Sequence, residues 1–207
     1  MKVALTMRVT QAPDYHELRD SISHDWMARL DAWGMTPALV PNVLAAAEDF
    51  LDGLGADLLV LTGGDDLGVT PRRDDTEMRL LAHAHRHDLP VLGVCRGMQL
   101  INRHFGGGEI VVEGHVARSH GVTVATPWRG LYAGEASVNS FHSVGIAPDG
   151  LGTGLIGAAF DGSGNVEALC HRIHPIAAVM WHPERPGAPS ADRTLMEKLA
   201  TDGVFWT

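Results

Sequence analysis

Three observations predict an α/β fold with a parallel sheet at its centre. Strand and helix signals alternate from Lys2 to Phe105. Two runs in that stretch, Asp57–Leu61 and Pro90–Val94, are continuously apolar, as suits strands covered by helices on both faces. Beyond Gly106-Gly107-Gly108 the strands become shorter, which adds a small antiparallel β portion to the main sheet.

Taken in order, Lys2–Val9 reads as the first strand. Asp14-Tyr15-His16-Glu17 has the form of a capping box. Leu18, Ile22, Met27, Leu30 and Trp33 then recur near helical spacing until Gly34 ends the run. Pro37–Pro41 is a short strand and Val43–Leu54 an alanine-rich helix. The strand Asp57–Leu61 stops at Thr62-Gly63-Gly64, and a loop, Asp65–Arg73, leads to a helix over Asp75–His87. Pro90–Val94 is the next strand, with Gln99–Phe105 on the helix after it. Ile110–Val112, Val122–Ala125, Val144–Ala147 and Ile156–Phe160 follow as short strands. A turn cluster at Asp161–Asn165 precedes Val166–Cys170. Ile176–Trp181 is the last buried strand, and Ala191–Ala200 closes the chain as a helix.

The length of 207 residues suits one domain over 1–207. With 45% hydrophobic and 20% charged residues, a disordered tail, a collagen repeat and a coiled coil are excluded. No apolar run approaches the roughly 18 residues of a membrane helix, and MKVALTMRVTQ turns polar too early for a signal peptide. Two cysteines, Cys95 and Cys170, make no disulfide framework, so a cytoplasmic setting is expected. A net charge of −9 argues against a nucleic-acid partner, though not against a small anion held by a few arginines.

The strongest chemical signal is Val91-Leu92-Gly93-Val94-Cys95-Arg96-Gly97-Met98-Gln99. A strand ends at Cys95 and a helix begins at once, with glycines two residues to either side. That is the pattern of a nucleophile elbow with sulfur in place of a serine oxygen. It would set the thiol at the carboxyl edge of the sheet, where a helix N-terminus favours a thiolate. The plain alternative is a small buried cysteine beside packing glycines.

His182 also follows a buried strand, in Met180-Trp181-His182-Pro183-Glu184, and Glu184 falls on the same side of an extended chain. A carboxylate there would hold the imidazole in one tautomer, which makes Cys95, His182 and Glu184 a thiol triad. The Gly63-Gly64 turn can aim a backbone N–H at the same edge, and with the N–H of Arg96 it would form an oxyanion hole.

These three stretches, in this order, resemble the class I glutamine amidotransferase superfamily, whose flavodoxin-like fold is an open, mostly parallel sheet flanked by helices. The resemblance runs from about Asp57 to Glu184. It implies Cys95, His182 and Glu184 as catalytic residues, Gly64 and Arg96 as backbone oxyanion donors, and Gln99 at the glutamyl moiety. Arg96 after the cysteine and Met98 before Gln99 are similar to the γ-glutamyl hydrolase branch, peptidase family C26, rather than to glutaminase subunits. Asn139-Ser140-Phe141-His142 is similar to that branch's N-S-x-H stretch, which borders the glutamyl pocket.

Within the branch, Thr6–Arg8, Tyr15-His16-Glu17, Arg19 and Asp25-Trp26, then Asn139-Ser140-Phe141-His142 and Met180-Trp181-His182, resemble bacterial members that act on the γ-glutamyl conjugate of cytidine diphosphoramidate, for capsular phosphoramidate synthesis. That implies Arg8 and Arg19 as first candidates for a diphosphate leaving group, with Arg96 a further cation and Arg72 and Arg73 read as surface residues. The partner implied is a small γ-glutamyl substrate, with no nucleic acid, no membrane, and a homodimer as the self-association considered. No metal and no organic cofactor is expected. The rivals are a γ-glutamyl-aminobutyrate-type hydrolase, a non-catalytic thiol sensor and an ammonia-supplying glutaminase component of a synthase.

Other signals carry less. Of His83, His85 and His87 only the first and last share a helix face, and His115, His120, His171 and His174 lack the repeated spacing of zinc sites. Cys170 reads as core, and Trp128 and Tyr132 as packed aromatics.

Overall fold

The computed structural model describes residues 1–206. The chain begins with β1 (Lys2–Thr6), then a hairpin of β2 (Arg8–Gln11) and β3 (Leu18–Ser21), then α1 (His24–Ala32). Next come β4 (Thr36–Val40), α2 (Ala47–Leu54), β5 (Leu58–Leu61), α3 (Pro71–Arg86), β6 (Val91–Val94) and α4 (Arg96–His104). The later part holds β7 (Ile110–Val111), β8 (Val116–Val124), α5 (Arg129–Tyr132), β9 (Glu135–Phe141) and β10 (Val144–Gly145). It ends with β11 (Leu155–Phe160), β12 (Val166–His171), β13 (Ile176–Val179) and α6 (Ala191–Asp202). Among the described residues no helix is long and apolar enough to cross a membrane.

Nine strands form one open mixed sheet in the order β4-β1-β5-β6-β13-β12-β11-β8-β9. From β4 to β13 every pairing is parallel; from β13 outward every pairing is antiparallel. Side chains alternate across this sheet and fill two cores. Val3, Leu5, Leu58 and Val60 pack with Trp26 and Leu30 of α1 and Leu195 and Leu199 of α6. Ala4, Leu59 and Leu61 face the other way, toward Leu51 of α2, Leu80 of α3 and Ile101 of α4. Strands covered on both faces explain the unbroken apolar runs. Cys170, Trp128 and Tyr132 are all buried core, with the Trp128 and Tyr132 rings stacked at 5.9 Å.

The sequence reading errs most between residues 7 and 23. The first strand stops at Thr6, and Leu18–Ser21 pairs with Arg8–Gln11 instead of opening a helix. Leu18 is 61% exposed, so the apparent helical periodicity there marks no buried face. The true helix start is Ser23, whose hydroxyl accepts from the Asp25 N–H. The second helix starts at Ala47 rather than Val43, and α3 starts at Pro71, since proline suits a first helical position. The short strand expected at Val122–Ala125 is the end of the nine-residue β8, which pairs with β9, the strand that carries Asn139–Phe141.

Candidate functional site

β5, β6 and β13 are adjacent and parallel, so their carboxyl ends, and the three motifs that follow them, meet at one edge of the sheet. Cys95 is the bend between β6 and α4. Its φ of +53° is a conformation few non-glycine residues adopt, and its N–H donates to Val179 O at 2.8 Å. Both flanking glycines are required by space. A Cβ on Gly93 would lie 2.7 Å from the Gly97 backbone, and one on Gly97 would collide with Leu61 O.

Cys95 is 6% exposed, and burial pushes its thiol up to about 12, with the nearby Glu184 carboxylate adding to the rise. The Arg96 backbone N–H opposes the shift without overcoming it. Burial thus works against the thiolate that the helix N-terminus favours. A thiol held up in this way becomes a nucleophile with a base beside it.

His182 supplies a candidate. A Cβ on Gly63 would fall 2.9 Å from His182 Cε1 and 3.6 Å from Cys95 Cβ, so thiol and imidazole converge over Gly63. His182 Nδ1 and Glu184 Oε1 are 2.8 Å apart, and both side chains are 3% exposed. With Nδ1 donating to Glu184, Nε2 is left to accept a proton.

The loop that carries this pair is gripped by Asn139. The Asn139 Oδ1 accepts from the His182 N–H at 2.9 Å, and its Nδ2 donates to His182 O at 2.9 Å and Pro186 O at 3.1 Å. Just before His182, the Trp181 indole donates to Asp192, which also accepts from Tyr132 Oη at 2.6 Å. Burial raises the Asp192 carboxyl to about 7.

On the opposite side, Gly63 and Gly64 are braced by a charged network. Arg73 Nη2 donates to Thr62 O at 2.7 Å and Gly63 O at 3.1 Å, and its Nε pairs with Glu77 at 2.8 Å. Glu77 also binds the Arg96 guanidinium, whose other arm meets Asp74. Glu77 and Arg73 are fully buried and Arg96 nearly so. The network thus ties the Gly63-Gly64 turn to the residue after Cys95, the two backbone segments expected to donate to an oxyanion. Arg73 is consequently not a surface residue, and Arg96 offers no free charge to a substrate: both are neutralised inside the protein. The i,i+4 spacing of Arg73 and Glu77 on α3 is the signal that could have revealed the pair.

Of the remaining expected residues, Gln99 is buried and donates to Val144 O at 3.1 Å, and Ser140 Oγ donates to His115 O at 2.6 Å. Phe141 is 39% exposed, stands edge-on to His182 at 5.6 Å, and lies under the Arg185 guanidinium at 4.3 Å. His142 is buried, with Nδ1 on Val144 O at 3.1 Å. Arg8 lines a narrow depression with Trp26, Thr62, Gly63, Glu184 and Arg185, directly beside the site. Arg19 is not brought there: its half-exposed side chain pairs with Glu17 and Tyr15, while its neighbours Leu18 and Asp20 face a groove of about 650 Å³ between the hairpin and the start of α3 with the loop before it. Arg72 also lines that groove.

The Peptidase C26 family model matches residues 3–184. Gamma-glutamyl-CDP-amidate hydrolase of Campylobacter jejuni subsp. jejuni serotype O:2 is 28% identical over 193 residues, covering 89% of this chain and 90% of that one. Anthranilate synthase component 2 of Methanothermobacter marburgensis is 27% identical over 156 residues, covering 73% of this chain and 76% of that one. A crystal structure of a GMP synthase-like protein from Thermoplasma acidophilum superposes with a TM-score of 0.75 at 24% identity, covering 97% of this chain and 92% of that chain. That last likeness speaks for the fold.

Proposed function

This chain belongs to the Peptidase C26 family, within the class I glutamine amidotransferases, and on that premise we propose that it hydrolyses a γ-glutamyl amide or phosphoramidate bond through Cys95. The observation that carries the reading is the convergence of Cys95 and a Glu184-oriented His182 over Gly63. In this mechanism His182 Nε2 takes the thiol proton as Sγ attacks the γ-carbonyl carbon. The carbonyl oxygen becomes an oxyanion facing the N–H groups of Gly64 and Arg96; one such donor is worth about 3 kcal/mol. As the intermediate collapses, the C–N bond breaks and His182 returns its proton to the departing nitrogen, leaving a glutamyl thioester. A water deprotonated by His182 then attacks the thioester, the thiol is re-formed, and glutamate leaves. The resemblance sets Gln99 at the glutamyl end of the substrate, and the reaction belongs in a reducing cytoplasm, consistent with two free cysteines.

For the leaving group we favour a nucleoside diphosphoramidate, released toward capsular phosphoramidate synthesis. Support comes from the similarity to the Campylobacter jejuni protein and from Arg8, which lines the depression beside Gly63 and Glu184. The neighbouring groove has room for a nucleoside. The position of Arg19 shifts the weight to Arg8, with Arg72 as a second cation.

The test is glutamate release by the purified protein from γ-glutamyl-CDP-amidate, γ-glutamyl-aminobutyrate and glutamine. Two charge-assisted contacts, each about 1.5–3 kcal/mol, predict a kcat/KM preference on the order of 10²-fold for the first substrate. Equal values for the first two would remove the nucleotide reading and leave the hydrolase intact. Activity confined to glutamine would favour an ammonia-supplying role beside a synthase, and no glutamate from any substrate would remove the whole proposal.

A further inference from the structure

Beside the site, four side chains from separate parts of the chain point at one another. His115 precedes β8, His120 lies within it, His142 follows β9, and Glu167 is on β12. One ligating atom from each falls within 4.8 Å of all the others. Glu167 carboxylate oxygens lie 3.5 Å from His142 Nε2, 3.7 Å from His115 Nδ1 and 3.7 Å from His120 Nε2. Those separations are too long for hydrogen bonds. They approach the edge of about 3.4 Å expected around a tetrahedral zinc with bonds of 2.0–2.2 Å.

Two features single this cluster out from ordinary packed histidines. The inward atoms His115 Nδ1, His120 Nε2, His142 Nε2 and Glu167 Oε2 are buried and have no hydrogen-bond partner, a costly arrangement for four groups in one place. The outward nitrogen of each ring is oriented from behind. His115 Nε2 faces Asp161 Oδ2 at 3.2 Å, His120 Nδ1 the Gly121 carbonyl at 3.2 Å, and His142 Nδ1 the Val144 carbonyl at 3.1 Å. Asp161 is itself fixed by the Ser163 and Asn165 N–H groups, both at 2.8 Å. Outward nitrogens held by a carboxylate or carbonyl are the arrangement that orients metal-ligating histidines.

We propose that His115, His120, His142 and Glu167 form a closed, four-coordinate site for a divalent zinc ion. Three imidazoles and one carboxylate suit zinc, and four protein ligands leave no open position, so the ion is structural. It ties the β8–β9 hairpin at the edge of the sheet to β12, and so fixes the strand from which Asn139 grips the His182 loop. The sequence conceals the site because the ligands come from four segments with no repeated spacing. The inference stands apart from the γ-glutamyl reading and is tested without it.

Zinc content is measured on full-length protein carrying Cys95→Ala, so that no thiol near the site competes, before and after dialysis against a chelator and after back-titration with zinc sulfate. One zinc per chain is expected, with a thermal midpoint that falls on chelation and returns with the ion. Cobalt in its place should show the absorption bands of four-coordinate geometry. His120→Ala, whose side chain is 21% exposed and tolerates removal, should abolish stoichiometric binding. Asp161→Asn, acting behind His115, should weaken binding about 10–100-fold. Fewer than about 0.1 zinc per chain after back-titration overturns the proposal, since a site with four closed ligands binds stoichiometrically. So does unchanged binding in both His120→Ala and Glu167→Gln.

Discussion

The two sides of the candidate site are held in place by different physics. On the nucleophile side, Arg73, Glu77, Arg96 and Asp74 form a buried array of charges linking the Gly63-Gly64 turn to the elbow. On the base side, the loop of His182 is held by the neutral amide of Asn139 and, through Trp181, by Asp192, whose carboxyl is raised to about 7. The difference fits what each side does in the proposed mechanism. Backbone N–H groups that meet a developing oxyanion must not move, and a multiply bonded guanidinium brace resists displacement of both segments together. The proposed base already has its charged partner in Glu184, and the neutral amide of Asn139 holds the same loop without adding a further charge. The contrast suggests distinct failures on the two sides, ordered by expected loss of turnover on a γ-glutamyl substrate.

Removing the reacting groups removes the comparison itself. Cys95→Ala should abolish turnover with the fold intact, and Cys170→Ala, a change in the buried core, should not. His182→Ala should cost about 10²–10⁴-fold in single-turnover acylation. Peptide mapping after labelling with a thiol-reactive glutamine analogue should find Cys95; label on Cys170 would discard the elbow as nucleophile.

Glu77→Gln attacks the charged brace. It leaves two buried guanidinium groups short of a counter-charge, a defect typically worth about 3–5 kcal/mol. For a chain of this size that is roughly a 6–20 °C fall in Tm. Loosening the oxyanion segments should also lower kcat on the order of 10²-fold with KM little changed. A normal kcat in a folded Glu77→Gln protein would show that the array serves stability alone.

The sequence exposes the two sides unequally. Cys95 and its glycines are legible because the bend is built within five residues and the steric demand for Gly93 and Gly97 is local. The parallel core is legible because helices on both faces leave continuous apolar strands. The braces are not legible, since Arg73 and Arg96 are types usually found at the surface and their burial depends on Glu77 in α3 meeting α4. Asn139 stands out in the sequence, but its grip on His182 depends on a strand whose placement only the antiparallel half of the sheet fixes. The β2–β3 hairpin is hidden because Leu18, Ile22 and Met27 mimic a helical face.

Asn139→Ala attacks the neutral clamp. It strands the buried His182 N–H, at about 1–3 kcal/mol, and frees the loop without introducing an unpaired charge. The expected loss is roughly tenfold in kcat. A positioning role further predicts that Asn139→Asp, which keeps the acceptor for His182 N–H, retains more activity than Asn139→Ala and has an altered pH profile. Equal damage by both, with unaltered pH dependence, would assign Asn139 to packing alone.

Asp192→Asn should affect turnover least, because the residue bonds Trp181 rather than His182 or Glu184, but it should reshape stability against pH. The Asp192 carboxyl is raised from its ordinary 3.8 to about 7, chiefly by burial. The folded state therefore binds this proton more tightly than the unfolded chain does. Stability from this group is fully present below about pH 4 and declines as pH rises toward about 7. The ceiling is on the order of 4 kcal/mol, taking 1.36 kcal/mol per pKa unit. Asn keeps an acceptor for Tyr132 Oη and the Trp181 indole but cannot ionise. Thermal unfolding of parent and Asp192→Asn proteins at pH 4.5 and pH 8 should show the variant gaining relative to the parent at the higher pH. The same slope in both proteins would mean that Asp192 is charged throughout, and the base side would then rest on a buried charge as the nucleophile side does.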